Sequence, residues 1–411
     1  MSEVDDGYTL GAAGEIYAEQ RAQWEPLGPW DWYKIDPLRR ALSDVEMRLE
    51  EDERSIALFH QSWVRLPPSL RAQVFREREI AAELVVGLPW LRRAFPSVVS
   101  VSVGFDAPHE ARLSGIVTVE SPLTRGELRA LYAAWEERNS VESAVPDYRN
   151  DGPTPIVVKV AETPVALKQV PSGAATVSVP DPPPATSPIL QSGDRVDSES
   201  PSGMREPGTL TCIVSELSSD APLLLSSGHV FTDSGYAVIS RRGAPVRVGT
   251  VTRVNRDVDA ALAEITEPYS CDYRLKVCDM LPASPVIPPA GLAVQMYGAV
   301  SHRQQGYLNE TNRIPANAWK IGMVPEFTAD IPCTGGDSGA LLVTGRDKEP
   351  PFSKGELDHM APAYADAMTC AMLGVLRAGP PLGADPAYRP QAYFKPIIQI
   401  LDALGIEPWT R

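Results

Sequence analysis

The sequence predicts a multidomain protein in which an α+β part precedes an all-β part. Three observations predict it. Apolar residues recur at helical spacing before about residue 97 and at alternate positions after it. A stretch rich in Pro, Ser and Gly, residues 168–207, then interrupts the chain and includes Pro180-Asp181-Pro182-Pro183-Pro184. Beyond it, strand-sized apolar runs alternate with Gly, Pro and Asp turns almost to the C-terminus, the pattern of a sandwich or barrel. The expected layout is a helical region over 1–95, a small α+β domain over 96–167, a linker over 168–207 and a β domain over 208–411.

Composition agrees with many turns and few long helices. Proline numbers 40 of 411 residues, about twice the usual ~5%. The net charge of −15 argues against a nucleic-acid partner. The acidic start Met1-Ser2-Glu3-Val4-Asp5-Asp6 has no apolar segment behind it, so no secretory signal is expected. No run of 18 apolar residues occurs, so no membrane partner is expected either. The cysteines are Cys212, Cys271, Cys278, Cys333 and Cys370. An odd, sparse set is not a disulfide framework, and a reducing cytoplasm is the expected setting. No cysteine pair has zinc spacing beside histidines. Neither a metal nor a cofactor is expected.

Trp24, Trp30, Trp32 and Tyr33 lie in a poorly periodic opening segment. Asp36-Pro37 reads as a helix start, and Leu38, Leu42, Val45, Leu49 and Ile56 follow at roughly helical spacing. A second helix begins near Pro68-Ser69 and passes Leu70, Val74, Ile80 and Leu84. Val98–Val103 and Gly115–Val119 read as strands. Thr124-Arg125-Gly126-Glu127 is a capping box opening a helix through Leu128, Leu131, Tyr132 and Trp135. Pro155–Val160 is a third strand, and the order ββαβ suggests a helix packed on one face of a sheet. The expected later strands include Thr209–Val214, Pro222–Leu225, Tyr236–Ser240, Pro245–Val251, Ala260–Ile265, Ala293–Tyr297, Ala318–Val324, Ala340–Val343 and Ala371–Leu376. A last helix opens at Lys395-Pro396 and stops at Gly405.

The candidate chemistry centres on Gly335-Gly336-Asp337-Ser338-Gly339-Ala340. Gly336 has no side chain to block a carbonyl from the backbone N–H groups, and Gly339 lets the chain turn behind Ser338. The same composition also suits an ordinary turn before a strand. A serine nucleophile needs a base, and the base needs an orienting group. Of five histidines, His229 stands apart. It follows the apolar run Pro222-Leu223-Leu224-Leu225 through Ser226-Ser227-Gly228. Asp259 opens the strand Asp259-Ala260-Ala261-Leu262 and is preferred as orienter over Asp257, which is two residues earlier.

The chain order His229, Asp259, Ser338 is that of the chymotrypsin-type triad. The blocks around these residues resemble those of trypsin-like serine peptidases. Pro207-Gly208-Thr209-Leu210-Thr211-Cys212-Ile213-Val214 is similar to the opening of the intracellular NARROW LEAF 1-like group of bacteria and plants, with Thr211 where that group has glycine. The resemblance covers roughly residues 190–411. It implies a chymotrypsin-like double β-barrel, with His229 and Asp259 on the first barrel and Ser338 on the second. It implies an oxyanion hole from the N–H groups of Gly336 and Ser338, and substrate pairing along Arg377-Ala378-Gly379. A protein or peptide substrate follows, with residues 1–165 expected to serve an activating or recruiting protein. The alternative is a catalytically silent scaffold that binds peptides. In relatives the counterpart of Asp337 is held by a new N-terminus or by an arginine in a nearby turn. Here that turn is Gly298-Ala299-Val300-Ser301, and only Arg303 stands near. The serine loop is therefore expected to need a partner or a cleavage to order it.

Overall fold

Helix α1 (Pro68–Ala94) opens the part of the chain that the computed structural model describes. The described residues are 68–107, 110–142, 155–160, 165–166, 189–217, 219–231, 233, 235–241, 244–266, 269–315, 325–345, 370–379 and 392–409. The helix expected from Asp36-Pro37, the early aromatic group and the strand expected over 318–324 lie outside them. Helix α1 runs past Leu84, burying Leu88 and Leu91 and accommodating Pro89 in its last two turns. Its close approach to the second helix depends on Gly87, where a β-carbon would lie 2.8 Å from the Trp135 ring.

Strands β1 (Val98–Ala107) and β2 (Glu110–Val119) form an antiparallel pair. Helix α2 (Arg125–Glu142) follows, and β3 (Ile156–Val160) then pairs parallel to β2. The capping box forms as its sequence predicts. Thr124 N donates to Glu127 Oε2 at 2.7 Å, and Glu127 N donates to Thr124 Oγ1 at 3.2 Å. The two helices bury Ile80, Leu84, Leu91, Leu131 and Trp135 against Val101, Val103, Val117 and Val119. Burying one such side chain is worth about 1.5–3 kcal/mol. A two-residue strand, β4 (Val165–Ala166), comes next.

The Pro/Ser/Gly-rich stretch is not structureless to its end, which corrects the expected linker. It contains β5 (Ile189–Ser192), β6 (Arg195–Glu199) and β7 (Arg205–Thr209). Leu190 and Val196 face inward from the first two and are buried. Strands β8 (Cys212–Glu216), β9 (Ser219–Ser227), β10 (Tyr236–Arg241), β11 (Ala244–Asn255) and β12 (Ala260–Ile265) join β6 and β7 in an eight-stranded sheet, ordered β21-β8-β9-β12-β11-β10-β6-β7. Its eighth strand, β21 (Ile406–Pro408), comes from the chain end. Val196 near one end of the order and Ile213 near the other share one core, so the sheet curls on itself. Strand β13 (Ser270–Leu275) pairs β5.

A second unit closes completely. After β14 (Ala283–Pro285), the strands β15 (Ala293–Gly298), β16 (His302–Pro315), β17 (Glu326–Ala329), β18 (Leu341–Thr344), β19 (Ala371–Gly379) and β20 (Ala392–Pro396) form the ring β15-β18-β19-β20-β17-β16, which pairs back to β15. This six-stranded barrel with further strands fits a chymotrypsin-like fold. Phe327 and Phe394 stack inside it with centroids 5.4 Å apart. Strand β16 was not among the sequence-expected strands. It is longer than its barrel needs. Its residues 302–307 pair β15, and Glu310–Pro315 pair β1 on the same edge. The sheet β1-β2-β3 is thus hydrogen-bonded to the barrel. Glu77 of α1, 1% exposed, adds a polar tie by accepting from Ala290 N at 2.9 Å and Thr311 Oγ1 at 2.7 Å. Helix α3 (Ile397–Leu404) ends at Gly405, whose φ of 66° suits glycine. Among the described residues no helix is long and apolar enough to cross a membrane.

Candidate active site

The seam between the two β units is lined by small hydroxyl residues. Ser226 Oγ donates to Thr209 O at 2.8 Å, and Ser227 Oγ donates to Leu376 O at 3.0 Å. Thr209 N donates to Ser338 O at 2.8 Å, and Thr209 Oγ1 donates to Gly336 O at 2.9 Å. Thr211, the residue that departs from the resemblance, donates its hydroxyl to Gly339 O at 2.6 Å. All four side chains are buried. Each hydroxyl donates to a carbonyl of the chain, so none of the four is buried without a partner. The serine turn, which belongs to the second unit, is therefore pinned by the first.

That turn needs its glycines. Gly336 and Gly339 have φ of 99° and 95°, a region that side chains disfavour. A β-carbon on Gly339 would also lie 2.3 Å from Thr209 O. Among the described residues no chain acceptor takes the N–H of Gly336 or of Ser338, whereas Asp337 N, Gly339 N and Ala340 N are all engaged. The two N–H groups on either side of Asp337 are thus left without a chain acceptor.

His229 lies at the end of β9, and Asp259 at the tight turn that leads into β12. The pairing Ala260↔Ser227 brings the two together. Gly228 permits the approach, since a β-carbon there would lie 2.9 Å from Ala260 N. Asp259 has φ of 50°, a conformation aspartate tolerates better than most residues. Its Oδ1 accepts His229 N at 2.8 Å, and its Oδ2 is 2.8 Å from His229 Nδ1. His229 Nε2 is 2.9 Å from Ser338 Oγ. An ionised carboxylate only accepts, so Nδ1 carries the proton and Nε2 presents its lone pair to the hydroxyl. The rival Asp257 is exposed on the same turn.

Asp337 is fully buried, and its carboxylate is held by backbone rather than by Arg303. Its Oδ1 accepts Val300 N at 2.9 Å and Ser301 N at 3.0 Å, and its Oδ2 accepts Thr334 N at 2.9 Å. Three backbone donors replace the side chain that the resemblance led us to look for. Arg303 instead donates to Gln295 Oε1 at 2.8 Å. Burial, helped by the Asp337 charge, pushes the neighbouring Cys333 thiol up to about 12. Gly298 is required for the arrangement, because a β-carbon there would lie 2.3 Å from Asp337 Oδ1. Gly298→Ala is expected to displace the carboxylate and cost about 2–3 kcal/mol, the scale of a lost hydrogen bond to a buried charge. Urea denaturation measures it.

Behind Asp259 lies an ion cluster that sequence reading missed, buried except for the half-exposed side chain of Arg377. Glu326 is 2% exposed, accepts Arg313 NH1 at 2.9 Å and lies 3.4 Å from Lys395 Nζ. Arg377 also donates to Glu326, and its Nε is 3.8 Å from Asp259 Oδ2. Burial above all holds the Lys395 ammonium below the usual lysine range, against the opposing pull of Glu326. Glu326→Gln keeps the shape but leaves three cations facing one another. It is expected to cost about 3–5 kcal/mol, read as a lower denaturation midpoint with an unchanged slope. Of the three residues expected to bind substrate, Arg377 thus turns its side chain into this cluster. Ala378 and Gly379 present backbone to β4.

No protein-family model and no curated protein matches the chain. Solved structures do align with it. Protease A of Thermobifida fusca aligns over 55% of this chain and all of its own, at 14% identity and a TM-score of 0.38. The chymotrypsin of Cellulomonas bogoriensis aligns over 54% of this chain and all of its own, at 14% identity and 0.37. The Rv3671c protease of M. tuberculosis aligns over 57% of this chain and 97% of its own, at 14% identity and 0.32.

Proposed function

We propose that this chain is a serine endopeptidase of the trypsin-like kind, with Ser338 as nucleophile, His229 as base and acid, and Asp259 as orienter. One observation carries the reading. Ser338 Oγ, the His229 imidazole and the Asp259 carboxylate form an unbroken hydrogen-bonded series, at 2.9 and 2.8 Å. The backbone N–H groups of Gly336 and of Ser338 itself have no chain acceptor among the described residues. A silent scaffold would not need the series, the buried carboxylate and the open donors together.

The mechanism follows from these atoms. His229 Nε2 takes the hydroxyl proton as Ser338 Oγ attacks the peptide carbonyl carbon. The carbonyl oxygen gains charge and is received by the N–H groups of Gly336 and Ser338, each such donor being worth about 2.7–4 kcal/mol. Asp259 holds the imidazole and balances its positive charge. The imidazolium then protonates the departing amine, the C–N bond breaks, and an acyl-serine remains. Water, deprotonated by the same imidazole, hydrolyses it. The Pro207–Val214 opening points within this fold to the NARROW LEAF 1-like group. The sparse, odd set of cysteines supports a reducing compartment such as the cytoplasm. Residues 1–165 are the proposed place for a recruiting protein.

A fluorophosphonate, which phosphonylates an activated serine hydroxyl, tests the reading. Labelling should map to Ser338 and be absent from Ser338→Ala and His229→Ala. Labelling elsewhere, or none on well-folded protein, refutes it.

A further inference from the structure

One strand of the second barrel carries the serine turn and a piece of this chain on the same edge. On one side, β19 is paired by β20 from Gly374 to Ala378. On its other side β18 pairs it as far as Val375, opposite Leu341. The serine turn comes next, with Gly339 N donating to Leu376 O and Leu376 N donating to Ala340 O, both at 2.9 Å. Immediately beyond, β4 continues the ladder, with Ala378 opposite Ala166 and Gly379 opposite Val165, antiparallel. The direction matters. Gly379 is the far end of β19 and Leu376 the end at the serine, so the chain arrives at Val165 and leaves Ala166 heading toward Ser338.

An extended peptide entering this site would have to do the same. It would add to the open edge of β19 through main-chain hydrogen bonds, antiparallel, with the bond to be cut following the paired residues. We propose that Val165–Ala166 is a built-in occupant of the substrate position, so that the chain competes in cis with any peptide presented in trans. This rests on the peptidase reading and names what regulates that site. A short tether gives such a segment a millimolar effective concentration, enough to hold a weak two-residue ladder in place. In sequence the occupant begins five residues after the end of β3, so a protein that pulls on the sheet bonded to β16 would also withdraw the strand.

The test is the full chain with both residues replaced, Val165→Pro and Ala166→Pro, which removes both N–H donors of the strand. Cleavage of a fluorogenic peptide library is measured for this variant and for the unaltered chain. Fluorophosphonate labelling and circular dichroism are run on each. We expect kcat/KM for added peptide to rise about tenfold in the variant. A synthetic peptide Thr-Pro-Val-Ala-Leu-Lys should compete with the library or be cut itself. Self-cleavage of the unaltered chain just past Ala166, absent in Ser338→Ala, would equally support the proposal. Equal library rates in both chains, with the unaltered chain intact and Ser338 labelled, would overturn it while leaving the peptidase reading standing. Absence of labelling in both folded chains would defeat that reading instead.

Discussion

Ser338→Ala is expected to lower kcat for peptide cleavage about a million-fold, with KM nearly unchanged. The size follows from what the hydroxyl does. On the proposed reading it forms the bond to the substrate carbon, and its loss also leaves the His229 imidazole without a proton to take. Removing one member of such a series costs nearly as much as removing all of it, about 10⁶ in kcat in a comparable serine peptidase. Some acceleration over water should survive, because the N–H groups of Gly336 and residue 338 stay in place. The substitution is small, and the turn is held through main-chain atoms and Asp337, so the fold should persist. Steady-state kinetics on a cleavable library peptide, beside circular dichroism, gives the answer. A loss under a hundredfold would remove Ser338 from the chemistry.

The second large effect is expected from Asp259→Asn, about 10⁴ in kcat. Asp259 uses both oxygens, one on His229 N and one at Nδ1, each at 2.8 Å. An asparagine can keep the first contact only by turning its NH₂ toward Nδ1. That group donates, so Nδ1 must become the acceptor and the ring proton moves to Nε2. Nε2 then faces Ser338 with a proton rather than a lone pair. The volume hardly changes, so KM and stability should move little, while the rate of fluorophosphonate labelling falls with kcat. Asp257→Asn is the control, since Asp257 is exposed and should leave the rate unaltered.

The legible features were those whose signal is local. Ser338 among glycines, His229 behind small residues and Asp259 before an apolar strand each carry their meaning in a few neighbours. Topology then brought together what the order of the blocks suggested. The illegible features were of two kinds. Strand β16 reads as polar because its first residues, His302-Arg303-Gln304-Gln305, are largely exposed and its later buried positions carry Glu310, Thr311 and Arg313, which are partnered. The ion cluster was hidden because Arg313, Glu326, Arg377 and Lys395 lie on four strands that only the fold makes adjacent. The support of Asp337 escaped for a simpler reason. It consists of backbone N–H groups, which every sequence has and none advertises.

Strand β16 has a practical corollary. A closed barrel has no edge to offer, but this strand extends past the point where β15 stops covering it. Among the described residues, β1 alone covers residues 310–315 on that side. A fragment begun at residue 189 would bare a run of unpaired amide and carbonyl groups, the template on which chains stick together. For recombinant work, the shortest piece that leaves this flank covered must retain the β1 strand. Cutting closer to the barrels trades a smaller protein for one prone to clump.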